Sequence, residues 1–164
     1  MNETATKIAA MKGQKIVEIR PPKILMKVGG SIDESGAILA IYGRTLDPAK
    51  ISRQLGVEPT RSFKRGHRIR SNSHPMQHGA WFLQVRGKTP DGPEVQLRKL
   101  LQQLPKSGKI WKELNSKYTI QIRFGLHMSG WNKGFGLTPD LLKQLAKMRV
   151  ELQFDIYAYG EEKE

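Results

Sequence analysis

From Tyr118 to Met128 the chain alternates. Tyr118, Ile120, Ile122, Phe124, Leu126 and Met128 fall on one parity, and Thr119, Gln121, Arg123 and His127 on the other, with Gly125 between them. Side chains on a strand repeat every two residues, so this stretch reads as a strand with an apolar face and a polar one. Alternation of this kind points to an antiparallel sheet with one face buried under helices and the other less covered. Val150, Leu152, Phe154, Ile156 and Ala158 alternate in the same way and close the chain with a second such strand.

The remaining elements follow from apolar runs and their punctuation. Gly36–Gly43 is an apolar β run, and Asp47-Pro48 opens a helix through Leu55, with Asp47 placed to cap, Pro48 at the first position and Gly56 as the stop. Part of Thr60–Lys64 pairs as a short strand, and Ala80–Gly87 reads as a longer one. Pro93 starts a helix carrying Val95, Leu97, Leu100, Leu101 and Leu104, a short helical piece surrounds Ile110, Trp111 and Leu114, and Thr138-Pro139 opens a helix through about Met148. The expected fold is α+β: a mostly antiparallel sheet with helices on one face, ferredoxin-like β-α-β-β-α-β with an added C-terminal α-β.

Length and composition set the frame for function. A chain of 164 residues with three Trp and five Phe suffices for one packed core. The expected division is a basic, flexible N-terminal arm over residues 1–35, one α+β domain over 36–160 and a charged tail over 161–164. Residues 15–20 (KIVEIR) alternate and add a short edge strand at most, because Pro21-Pro22 stops them. Without cysteine there is no disulfide, thiolate metal site or thiol nucleophile, and the expected location is cytoplasmic. The first residues never assemble the apolar run of about 7–15 residues of a secretory signal, and no run of about 18 apolar residues suits a membrane span, so no membrane insertion is expected.

With 28 Lys and Arg against 15 Asp and Glu the formal charge is +13, a field that seeks polyanions such as nucleic acid or an acidic protein. The densest window is Arg61–His74, which holds Arg61, Lys64, Arg65, Arg68 and Arg70, two His, several small polar donors and no acid. Guanidinium forks match phosphate, and Gly66 lets backbone approach it. Lys12 and Lys15 in the arm join these as candidate polyanion contacts. Gln84, Arg86, Thr119, Gln121 and Arg123 are expected on the open sheet face, with Phe82 and the loop residue Trp131 as candidate stacking groups.

Ile41-Tyr42-Gly43, Leu46-Asp47-Pro48, Ile51, the string Leu55-Gly56-Val57-Glu58-Pro59-Thr60-Arg61-Ser62-Phe63, then Gly66, Gly79 and Trp81 resemble the bacterial domain-of-unknown-function family numbered 4279. Leu137-Thr138-Pro139, Leu145-Ala146 and Phe154-Asp155-Ile156-Tyr157 are similar to its ending. The resemblance spans about Ala37 to Tyr159. It implies the same α+β domain and no activity that carries over. It leaves the basic arm and the Arg/Lys density after Thr60 unexplained.

Other motifs fail on context. Lys133-Gly134-Phe135-Gly136 matches the opening of an RNA-recognition signature, but Pro139 suits a helix start and not the strand that signature needs. His67, His74 and His78 lie in a Pro- and Gly-containing stretch with no carboxylate, so no metal is expected. A general base at Asp155 opposite His127 is conceivable, yet no phosphate loop, nucleophile elbow or catalytic residue stands out, and no cofactor is expected. The expectation is a non-enzymatic binding protein that contacts a polyanion, most plausibly nucleic acid. The alternative is an interaction module, inhibitor- or immunity-like, that covers an acidic partner protein.

Overall fold

The computed structural model describes residues 30–88, 90–130 and 132–159. The elements in chain order are β1 (Glu34–Gly43), α1 (Pro48–Leu55), β2 (Arg61–Phe63), β3 (Gly79–Lys88), α2 (Pro93–Gln102), α3 (Gly108–Asn115), β4 (Thr119–Ser129), α4 (Pro139–Met148) and β5 (Glu151–Tyr159). Among the described residues the result is a mixed α+β architecture: four helices and a five-stranded, mostly antiparallel open sheet in the order β2-β3-β1-β4-β5. Among the described residues no helix is long and apolar enough to cross a membrane.

Alternation becomes a layer. Ala37, Leu39 and Ile41 in β1 lie beside Val85, Leu83 and Trp81 in β3 and beside Phe124, Ile122 and Ile120 in β4. These residues join Ile51 and Leu55 of α1, Leu97, Leu100 and Leu101 of α2, Trp111 and Leu114 of α3, and Leu141, Leu145 and Met148 of α4 in one apolar cluster. Ile32 is buried in the same cluster, just before β1 begins. The central polar contact in this layer is Trp81, fully buried, whose Nε1 donates to Ser52 Oγ at 3.1 Å. Ser52 in turn donates to Glu58 Oε2 at 3.3 Å, so the hydroxyl is used in both directions.

Two local expectations are corrected. The closing strand β5 pairs parallel to β4, because α4 carries the chain back along the sheet before β5 begins, whereas alternation alone had suggested an antiparallel neighbour. Asp47 sits at the N-cap of α1 but its side chain makes no capping bond. Its carboxylate faces Lys64 Nζ at 3.7 Å instead, while its backbone carbonyl accepts from Lys50 and Ile51. The helix ends as expected on Gly56, left-handed at φ 70°, which donates back to Ser52 O at 2.8 Å.

Candidate nucleic-acid interface

The register that buries one parity of each strand turns the other parity onto a sheet face that carries no helix among the described residues. Reading across it, Arg61 and Phe63 of β2 neighbour Phe82 and Ala80 of β3. Phe82, Gln84 and Arg86 neighbour Ala40, Ile38 and Gly36 of β1, and these neighbour Gln121, Arg123 and Gly125 of β4. Gln153, Asp155 and Tyr157 of β5 complete the rows beside Arg123, Gly125 and His127. The polar parity of β4 therefore lies where the alternation placed it.

Aromatic rings gather at two places on this face. On the β2 side, Phe82 meets Tyr42 edge to face at 5.6 Å between centroids and Phe63 at 6.0 Å, and Phe63 stacks on His67 at 5.8 Å. The Arg61 guanidinium lies 5.7 Å from the Phe63 ring centre, a cation–π placement. At the opposite end of the strands, His127 stacks on Tyr157 at 4.7 Å with planes 10° apart, and Tyr159 flanks the same ring at 6.2 Å. Between the two clusters Gly36 and Gly125 face each other across β1 and β4, and a Cβ on Gly125 would meet nothing nearer than His127 Nε2 at 4.0 Å. The open space in the middle of the face is thus the one over Gly125, because the Arg86 stem and Gln84 Nε2 come within 3.6 Å and 3.8 Å of a Cβ placed at Gly36.

The basic loop between β2 and β3 closes on itself. Gly66, at φ 85°, donates to Met76 O and Met76 donates back to His67 O, both at 2.8 Å. Arg68 Nη1 donates to Ser73 O at 2.5 Å, and Ser73 Oγ donates to Arg70 O at 2.8 Å, so the tip is a compact turn. Arg65 lines an open groove with Arg44, Gly66, His74 and His78. Of the candidate cations, Arg61, Lys64, Arg65, Arg68 and Arg70 are all exposed and share this edge of the molecule, next to the Phe63–Phe82 cluster. Lys12, Lys15 and Trp131 lie outside the described residues.

Charge is graded across the face. Cations occupy β2, β3 and β4 as Arg61, Arg86, Lys88 and Arg123, while Glu151 and Asp155 stand on β5. Glu34 is offset by Lys88 at 3.8 Å, and Glu151 accepts from Gln121 Nε2 at 3.0 Å. Arg123 Nε has no acceptor among the described residues.

A separate charged clamp holds the entry to β1. Asp33 accepts from Ser129 N at 2.6 Å, Ser129 Oγ at 3.0 Å and Lys133 Nζ at 2.6 Å. Hydrogen bonding from Lys133, then from the Ser129 backbone and hydroxyl, lowers its pKa from the ordinary 3.8 to about 2. A depressed carboxylate stabilises the fold above its unfolded pKa, and that contribution disappears as pH falls through the folded value. Melting temperatures of the wild type and Asp33→Asn are therefore expected to differ at neutral pH and to converge between about pH 4 and pH 2. A difference that stays constant through that window would exclude the carboxylate as the source.

The remaining motifs take definite places in the fold. His127 stacks on tyrosines and lies opposite Tyr157 in the register, while Asp155 lies opposite Gly125, so the pair conceived as a base and its partner is not in register. Phe135 packs on Phe124 and Phe154 on the helix-covered side and belongs to no recognition strand. Among the described residues no group of three or more His, Asp or Glu converges as a metal site. Phe63, Tyr42, Tyr157 and Tyr159 were missed as open-face aromatics. Tyr157 and Tyr159 do occupy the parity opposite Phe154 and Ile156, which was the available signal.

Residues 33–159 match the family model described as Domain of unknown function (DUF4279). No curated protein and no solved structure matches the chain.

Proposed function

The chain belongs to the DUF4279 family, and from the site alone we propose that it is a non-enzymatic binding protein whose basic loop and open sheet face contact a polyanion, most plausibly nucleic acid. The observation that carries this reading is the junction of Arg61–Arg70 with the Phe63–Phe82–Tyr42 cluster. Five exposed cations stand at the edge of a face where rings are already displayed. Phosphates would be neutralised by Arg61, Lys64, Arg65, Arg68 and Arg70, with Lys12 and Lys15 adding charge from the N-terminal side. We also read the first four strands as a ferredoxin-like unit, supported by the order β2-β3-β1-β4 and its antiparallel pairings.

The test is fluorescence anisotropy of the nuclease-treated protein with labelled mixed-sequence RNA and DNA. Binding at low salt that weakens linearly in log affinity against log salt is expected. No binding of either nucleic acid at low salt would end this reading.

A second reading, an interaction module for an acidic partner protein, is favoured by one observation. β5 is an edge strand, and Phe154 and Ile156 on its helix-side parity remain 40% and 61% exposed, near-edge apolar surface of a kind that partner proteins cover. Recovery of one stoichiometric acidic protein on the immobilised, nuclease-treated chain would support it.

A further inference from the structure

We infer that the nucleic acid is single-stranded, and that it lies across the open face with a base seated over Gly125 against the His127–Tyr157 stack. This inference rests on the polyanion reading above and specifies the form of its ligand. In a duplex the base faces are already stacked on one another, whereas a single strand offers a free π-face at every base. The open face carries aromatic surface at both ends, and Tyr157 and Tyr159 are 48% and 61% exposed even though each contacts His127.

The face between the clusters supplies the space. Gly36 and Gly125 are cross-strand neighbours, and the Arg86 stem and Gln84 come within 4 Å of a Cβ placed at Gly36, so the open position is Gly125. Around them stand Arg86 on β3, Arg123 and His127 one step either way along β4, Asp155 directly beside Gly125 on β5, and Tyr157 beside His127. A planar group of base size set over Gly125 would meet the His127 ring, with Arg123 the same-face neighbour on the other side along β4.

Charge orients the strand. The cations lie on β2, β3 and β4 and in the loop that continues from β2, whereas Glu151 and Asp155 lie on β5. Phosphates therefore run along the β2–β3 side and bases point toward β5, where carboxylates accept from exocyclic amines and do not face phosphate.

The experiment compares a labelled single-stranded oligonucleotide of about 12 nucleotides, within the site sizes of such platforms, with the same sequence as a duplex, using the full chain. The variants are Tyr157→Ala, which removes an exposed ring, and Gly125→Val, which fills that space; circular dichroism and thermal melts verify that each is folded. Tighter binding of the single strand is expected, with a loss of about 5- to 150-fold in Tyr157→Ala, the range for one base–aromatic stack, at unchanged salt slope. Gly125→Val is expected to weaken the single strand as well. Salt-dependent binding that is equal for strand and duplex and indifferent to both variants would overturn this inference and leave phosphate binding standing. Absence of binding to both probes would remove the two together.

Discussion

Replacing Trp81 with Ala is expected to lower the unfolding free energy by about 3–5 kcal/mol, the range for deleting a buried aromatic ring. Trp81 is fully buried at the meeting of β1, β2, β3 and α1. The backbone beside it is already closely packed, since a Cβ added at Gly79, two residues earlier, would come within 2.8 Å of Leu46 O. The loss also strips Ser52 of its indole donor, 3.1 Å away. Against a typical total of about 5–15 kcal/mol this is a large fraction. Trp81→Phe keeps most of the ring and forfeits the N–H bond, so it is expected to cost clearly less than Ala. Urea denaturation measures both; a loss below about 1 kcal/mol for the Ala variant would mean that the site is not the packed centre described here.

A larger effect on function is expected from changing Arg61, Lys64, Arg65, Arg68 and Arg70 together to Ser. All five are exposed and none joins the apolar cluster, so the fold is expected to persist. The local cost is confined to exposed contacts such as Lys64 with Asp47 at 3.7 Å and Arg68 with Ser73 O, and exposed pairs of this kind contribute little. Each phosphate neutralised contributes about 0.9 to the slope of log affinity against log salt on duplex DNA and about 0.7 on single strands. If all five cations engage phosphate, the wild type should lose about 10²- to 10³-fold more affinity than the variant as salt rises from about 50 to 200 mM.

Much of the fold could be read locally. The alternation of β4, the Pro-started helices α1, α2 and α4 and the Gly56 stop each depend on residues within one turn or one strand. The direction of β5 could not be read, because alternation describes faces and says nothing of which neighbour a strand pairs with or in which sense. Asp47 carried the composition of a cap, but Lys64, brought close by β2 and the start of the loop, competes for its carboxylate.

The candidate site divides along the same line. The cation-rich window was visible because its residues are contiguous. The open space over Gly125 was not, since Gly125 is an ordinary glycine until β1 and β4 pair. His127 and Tyr157 likewise become a stack only through the parallel register of β4 with β5, and Asp33 finds Ser129 and Lys133 across about a hundred residues of sequence. Long-range pairing, not composition, assembles each of these.

The most direct measurement is the slope of log affinity against log salt for a labelled single-stranded oligonucleotide, taken on the wild type and on the fivefold Ser variant under identical conditions. A steep wild-type slope that falls by about 3–4 units in the variant is the predicted result, corresponding to phosphate contacts made by those five cations. Equal slopes in the two proteins would contradict it, because they would place the phosphate contacts away from the Arg61–Arg70 loop.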